Sequence, residues 1–380
     1  MDNDDRLKSR TWAEIDLAAL LHNLNYAKKC ANNRPVMCVI KANAYGHGAV
    51  ECAKFLEKNG AAAFAVACLD EAVELRRAGI KLPILILGYT PAKYADIIAS
   101  NDIIQTLVDL SYAEELSASA KKAGVTVKAH IKLDTGMSRT GILAQGENFI
   151  QSAIDAACRE IELPNIDVEG MYTHMSVADT PSEDEYTNWQ IDNYIAVREG
   201  ILKRGYKLKC CHMANSAGIM NHPRTHFDMV REGITLYGLY PDSIHVENGP
   251  LQPVMTMKSR VGLVREFPAG TTISYGRMFK AQTDMRVAVI TAGYADGFPW
   301  HMYNKAIFTI NGEEFKQIGR VCMDMMMVDV TGSNVKRDDE VILFGKGGMS
   351  LETVAAITQT IDYELVCLIT PRTKRVYING

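Results

Sequence analysis

Eight short apolar runs, each followed by a stretch of helical period, constrain the fold of this chain more than anything else in it. The runs fall at 36–40, 63–67, 83–87, 103–107, 125–133, 166–171, 208–213 and 227–236, with amphipathic segments such as 70–78, 111–123, 147–159 and 183–203 between them. A short, nearly continuous apolar run suits a strand covered on both faces, and strands that alternate with helices build parallel sheets. Eight such units predict an α/β fold based on a (β/α)8 barrel of the TIM type, in which catalytic groups stand at the C-terminal ends of the strands.

Beyond about Pro250 the texture changes. Short β-rich runs at 256–266, 286–291, 306–311, 326–330 and 340–343 lie between turn signals, with a single helical stretch at 350–359. A chain of 380 residues exceeds one typical small domain. The expected division is a barrel over 10–248 and a mostly β C-terminal domain over 249–380, with an N-terminal strand at 11–15 added to the second.

A net charge of -4 supplies no basic field for nucleic acid. No apolar run approaches the ~20 residues that cross a bilayer, and the acidic start Met1-Asp2-Asn3-Asp4-Asp5 is unlike a signal peptide. No membrane partner is expected. The nine cysteines are an odd number, and Cys38, Cys68 and Cys367 sit inside apolar segments. They read as free core thiols in a reducing cytoplasm, and with no cluster at zinc-ligand spacing no metal is expected.

The barrel reading gives particular weight to Lys41. In Val39-Ile40-Lys41-Ala42-Asn43-Ala44-Tyr45-Gly46-His47-Gly48 a buried strand delivers a lysine into a small, glycine-bearing turn. Desolvation at such a place lowers an ammonium pKa and yields a usable amine nucleophile. An amine nucleophile most often forms a Schiff base with a carbonyl, that of a substrate or of pyridoxal phosphate. A phosphorylated cofactor needs an anion site, and the turns around Asn215-Ser216, after the seventh run, and Gly233-Ile234, near the eighth, offer a hydroxyl and backbone amides. Taken alone, Asn215-Ser216 is a plain helix cap. Arg231, embedded in the last run, pairs either with a carboxylate such as Glu232 or with a cofactor ring nitrogen. Arg139, at the end of Lys132-Leu133-Asp134-Thr135-Gly136-Met137-Ser138-Arg139, stands where a substrate carboxylate can be held bidentately.

Together these segments resemble the pyridoxal-phosphate-dependent alanine racemase family, from about Arg10 to Val376. Besides the Lys41 segment, the resemblance is carried by Asp134-Thr135-Gly136-Met137, Thr173-His174, Ala214-Asn215-Ser216, Arg231-Glu232-Gly233-Ile234, Ser274-Tyr275-Gly276-Arg277, Gly293-Tyr294-Ala295-Asp296-Gly297, Gly319-Arg320-Val321-Cys322-Met323-Asp324 and Tyr363-Glu364. It implies interconversion of L- and D-alanine by two-base proton transfer, feeding cell-wall peptides in the cytoplasm. Lys41 becomes the cofactor lysine and one base. Tyr275 becomes the other, reaching the partner's site in a head-to-tail homodimer. Tyr45, Ser216 and Tyr363 match phosphate-holding residues, with Asn215 and the backbone near Gly233 and Ile234 beside them. Arg231 matches the ring-nitrogen partner, and His174 and His212 match groups around the ring and the second base. Arg139 and the backbone of Met323 match the substrate carboxylate site, Lys132 matches a lysine the family often carries as its carbamate, and Tyr294 and Asp324 count as supporting residues.

This chain departs from the family pattern at Trp300, Met325, Ser138 and Thr140, where arginine, glutamine, glycine and leucine are commoner. A serine racemase of the glycopeptide-resistance type is the nearest alternative. Those proteins tend to carry asparagine where Tyr363 stands here, so Tyr363 favours alanine. A non-catalytic pyridoxal phosphate carrier would lack the β domain and Tyr275, and a decarboxylase of similar barrel would need a catalytic cysteine-aspartate turn that Cys322-Met323-Asp324 only echoes.

Overall fold

The first predicted run forms the strand Val36–Val39, every residue of which is buried, as a strand covered on both faces requires. In the computed structural model, which describes residues 8, 10–241 and 250–380, it opens a parallel sheet. The strands Ala63–Val66, Ile84–Ile86, Ile103–Leu107, Val127–Asp134, Ile166–Tyr172 and Cys210–His212 follow in order, and Val230–Glu232 returns to pair with the first, Val230 opposite Val36 and Glu232 opposite Cys38. Between the seventh and eighth strands the pairing is a single bridge from His212 to Met229. The result is an eight-stranded, nearly closed barrel. All eight predicted runs supply its strands.

Local chemistry explains the helices between them. Leu110–Ala123 begins where the Asp109 side chain accepts the Tyr112 amide at 2.7 Å, and it ends at Gly124, whose φ of 68° provides the left-handed cap. Leu69–Arg77 carries Asp70 and Glu71 in its first turn and Arg76 and Arg77 in its last, which complements the helix dipole.

The chain divides into two compact units. One contains Leu21–Ala44 and Ala49–Leu251, and hence the barrel strands. The other contains Tyr45–Gly48, Gln252–Gly380 and the described chain up to Leu20. The expected boundary at 248/249 lies outside the described residues. In the second unit a path of strands runs Met285–Ile290, Met326–Asp329, Glu313–Ile318, Ile307–Ile310, Glu340–Phe344 and Met255–Phe267, and the first of these also pairs with the last. Trp12–Asp16 extends it antiparallel to Met255–Phe267, and Lys374–Ile378 lies parallel on the outer side of Trp12–Asp16.

Four features differ from expectation. Glu313–Ile318 and Lys374–Ile378 are strands although they are rich in charge, because pairing and a half-exposed position suffice there. A second short helix, Asp362–Cys367, joins Leu351–Thr358. Cys68 and Cys367 are exposed rather than core thiols, Cys68 immediately before a helix and Cys367 at the end of one. The motif at Lys41 is split between the units. Tyr45–Gly48 clusters with the β-rich unit, where Arg375 Nε donates to the Gly46 carbonyl at 2.8 Å and the Tyr377 hydroxyl donates to that of His47 at 3.2 Å. A Cβ on Gly46 would stand 2.0 Å from the Val366 carbonyl oxygen, so only glycine fits.

Candidate active site

Lys41 stands at the end of the first barrel strand, half-buried rather than sealed. The backbone after it is unusual. Ala42, Asn43, Ala44 and Tyr45 all have φ between 51° and 55°, a left-handed turn that costs non-glycine residues roughly 1–2 kcal/mol each. Side chains of the barrel unit hold that turn. Glu71 accepts the Ala42 amide at 2.6 Å with one oxygen and the Ala67 amide at 2.7 Å with the other, while Asn43 accepts from the Ala49 amide at 2.9 Å. Sequence reasoning missed Glu71, because it looks like any acidic residue in a helix's first turn.

Arg231, on the eighth strand, is the centre of the barrel's interior. Successive residues of a strand face opposite sides, so Arg231 and its neighbour Glu232 cannot pair, and they do not. The Arg231 guanidinium donates through Nη1 to His212 Nδ1 at 2.8 Å, and through Nη2 to the carbonyls of Thr173 at 2.8 Å and Met213 at 2.9 Å. His174 Nδ1 lies 3.3 Å from the same Nη2. These partners are all neutral. Burial lowers the Arg231 pKa to about 10, which still leaves it fully charged at neutral pH. Burial, reinforced by that charge, also holds His174 and His212 well below the ordinary imidazole range.

Tyr172 is the plate on which this cluster rests. Its ring stacks on His212 at 4.9 Å and 4°, with the Arg231 guanidinium at 5.1 Å and Lys132 Nζ at 5.0 Å from its centroid. Its hydroxyl lies 2.9 Å from that of Thr106. Lys132 is buried, and burial together with Arg231 and Arg139 pushes its pKa down to about 7. Lys132 is thus a second amine, besides Lys41, on which the barrel's interior acts, and sequence reasoning gave no sign of its low pKa. Neighbouring Asp134 is spent on its own turn, accepting from the amides of Gly136 at 3.2 Å and Ser138 at 2.8 Å. Arg139, past that turn, is exposed and lines a cavity of about 480 Å³ with Asp109, Ser138, Thr140 and Gln145.

Asn215 caps the helix Ser216–Asn221 by accepting the Gly218 amide at 2.9 Å. Ser216 is not part of that cap. Its hydroxyl oxygen accepts from the Gly233 amide at 3.0 Å and the Thr235 hydroxyl at 2.9 Å, which draws Gly233 and Ile234 around it. The two small-residue turns anticipated after the seventh and eighth strands are thus one local structure.

The remaining predicted residues lie in the β-rich unit. Tyr275 opens a single turn, Tyr275–Arg277, and is 70% exposed. Tyr45 is half-buried, and burial, with Cys367 nearby, raises its phenol pKa. Tyr363 occupies the short helix Asp362–Cys367. Met323 and Tyr294 share a loop pair, the amides of Tyr294 and Ala295 donating to the carbonyls of Cys322 at 3.1 Å and Met323 at 3.0 Å. A Cβ on Gly293 would lie 2.3 Å from the Cys322 carbonyl oxygen, so the two loops meet only through glycine. Asp296, fully buried, anchors the pair. It accepts from its own loop's Gly293 amide at 2.9 Å, from Arg372 Nε at 2.8 Å and from Arg10, while Arg10 Nη2 donates to the Asp324 carbonyl at 2.9 Å and Arg372 Nη1 meets the Asp324 carboxylate at 2.8 Å.

Comparison with known proteins agrees in both units. Residues 15–241 match the family model of the alanine racemase N-terminal domain, and 254–377 that of the C-terminal domain. The chain is 41% identical over 375 residues to an alanine racemase of Clostridium novyi, covering 97% of this chain and 95% of the relative. The structure of an alanine racemase of Clostridium difficile superposes with a TM-score of 0.91 at 40% identity, covering 97% of this chain and 96% of that one. That of an alanine racemase of Bartonella henselae with covalently bound pyridoxal phosphate gives 0.85 at 29% identity, covering 97% of this chain and all 100% of that one. Among the described residues no helix is long and apolar enough to cross a membrane.

Proposed function

This chain belongs to the alanine racemase family, and on that premise we propose that it interconverts L- and D-alanine with pyridoxal 5'-phosphate as cofactor. The observation that carries the reading is the setting of Arg231, a buried cation whose hydrogen-bond partners are neutral imidazoles and carbonyls. A fixed positive charge without a carboxylate partner suits an unprotonated pyridine nitrogen, which needs a donor that keeps its own proton. The Ser216 hydroxyl accepts from the Gly233 amide and the Thr235 hydroxyl and so keeps its own proton to donate, as a phosphate requires.

Pyridoxal phosphate, when bound, supplies the electron sink that makes an amino acid's α-proton removable. The chain's own residues do the rest. Lys41 holds the cofactor covalently and moves a proton on one face of the substrate. Tyr275 moves a proton on the other, since inversion requires a donor on each side. Tyr45, Ser216 and Tyr363 hold the phosphate, with Asn215, Gly233 and Ile234 shaping its seat. Arg231 bonds the ring nitrogen, supported by His212 and flanked by His174. Arg139 and the Met323 backbone orient the substrate carboxylate, Lys132 sets Arg139, and Tyr294 and Asp324 support the second base and the Met323 loop.

The exposure of Tyr275 supports a head-to-tail homodimer in which it serves the partner's site. A cytoplasmic location and a domain boundary at 248/249 belong to the same proposal.

The test is to incubate the cofactor-loaded protein with L-alanine in deuterated water and follow D-alanine together with α-deuterium. Formation of both is the expected result, and absence of α-exchange would refute the assignment. Lys41→Ala and Tyr275→Ala subunits, each inactive, should regain activity when mixed and exchanged. No recovery after demonstrated exchange would refute the shared site.

A further inference from the structure

His130 has no role in the chemistry above, yet the fold makes special provision for it. It lies on the fifth barrel strand, where the pairing with the sixth shifts register between Ala129 and His130. The extra residue is Glu169 on the sixth strand, while His130, two residues before Lys132, keeps the alternation of its own strand and so faces the same buried polar cluster. The residue opposite is Gly170, and a Cβ there would come 2.5 Å from the Cys210 carbonyl oxygen and 2.8 Å from His130 Cε1 and Nε2. Glycine at 170 therefore leaves room both for the neighbouring strand's backbone and for the ring.

The hydrogen bonds from Arg231 outward have one consistent direction. An arginine nitrogen only donates, so His212 Nδ1, 2.8 Å from Arg231 Nη1, must accept. A neutral His212 then carries its proton on Nε2. That nitrogen lies 3.0 Å from His130 Nδ1, which in turn must accept, leaving the His130 proton on Nε2. We propose that His130 is a positioning residue, the acceptor that fixes the tautomer of His212 and through it the orientation of the Arg231 guanidinium. Burial and the Arg231 charge keep both rings neutral, with the His130 pKa lowered to about 4, so the charge stays on Arg231 and the chain of donors keeps its direction. Without an acceptor at 130, His212 loses its reason to present Nδ1 to Arg231, and Nη1 is freed to turn away.

This rests on the reading of Arg231 as the cofactor's ring partner, so its test has an arm that does not depend on turnover. Imidazole nitrogen NMR on histidine-labelled holoenzyme should show His212 and His130 neutral with the proton on Nε2. A proton on Nδ1 of His212 overturns the proposal whether or not the protein racemises alanine. In the kinetic arm, His130→Phe removes the acceptor while keeping a ring. It should lower kcat by about 10- to 100-fold with KM for alanine unchanged, and should shift the absorption of the bound cofactor. His130→Asn, whose amide oxygen can take the Nδ1 position, should restore most of the loss and the spectrum. Wild-type kcat in the phenylalanine variant, or asparagine no better than phenylalanine, overturns the proposal. If His130→Phe does not fold, the wild-type tautomers decide.

Discussion

Arg231 in the barrel and Asp296 in the β-rich unit are both buried charges, and they are satisfied in opposite ways. Asp296 is clasped by Arg10 and Arg372, and although burial alone would raise its pKa, those two guanidiniums hold it below the usual carboxylate range. Its field is cancelled where it stands, and what remains is geometry, two loops pinned together beside Met323. Arg231 has only neutral bonded partners among the described residues, so its charge is held in place but not neutralised. A counterion suits a buried charge whose task is to fix a loop. Neutral acceptors suit one whose task is to act on something else.

The sharpest way to break this contrast is to give the barrel a carboxylate. Arg231→Glu should cut racemase kcat/KM by about 10²–10³-fold and raise pyruvate formation by side transamination, because a protonated ring nitrogen then becomes favourable. A folded variant with no added pyruvate would count against the ring-nitrogen role. Asp296→Asn, the complementary change, should cost about 3 kcal/mol in urea unfolding, since it leaves two arginines facing a neutral amide. It should also remove a pH effect. The depressed Asp296 pKa stabilises the protein above about pH 3.9 and that gain is lost as pH falls below it, so acid titration of stability should be flatter in the variant.

Glu232 provides a third case, a buried carboxylate with no arginine clasp among the described residues. Burial pushes its pKa well above the usual range, although Lys28 and the Thr235 hydroxyl oppose this. Its contribution is complete below about pH 4.3 and is lost as pH rises through the folded value. Glu232→Gln should therefore gain stability relative to the parent as pH rises, and parallel melting curves across pH would contradict that. The smallest effect is expected at Lys132. With a folded pKa of about 7 against an unfolded value near 10.4, it makes stability increase with pH across that window. Lys132→Met should flatten the rise, as thermal melts at pH 7 and pH 9 would show.

How legible each part was depended on whether the signal was local. The barrel strands announced themselves because covering both faces forces a run of apolar residues. Lys41, Arg139 and Arg231 stood out as charges at or within the ends of such runs. Glu313–Ile318 and Lys374–Ile378 gave no comparable sign, since strands with exposed residues tolerate charge. Asp362–Cys367 is too short to show a helical period. Glu71, Tyr172 and His130 were invisible for another reason: each acts through a partner far away in sequence, and nothing local distinguishes them from surface or core residues of the same type.

By itself the sequence determined the (β/α)8 architecture, the β-rich final third and the presence of a lysine, an arginine and a tyrosine in turns of the right kind with a second arginine inside the last apolar run, because periodicity and turn chemistry act over a few residues. The family motifs added the expected roles. Only the tertiary structure decided that Arg231 and Glu232 turn to opposite faces, that Ser216 meets the Gly233 amide rather than capping its own helix, that Lys132 is a buried amine of depressed pKa, and that a glycine at 170 leaves room for His130. Those outcomes depend on burial and on distances between strands, and both exist only once the barrel has closed.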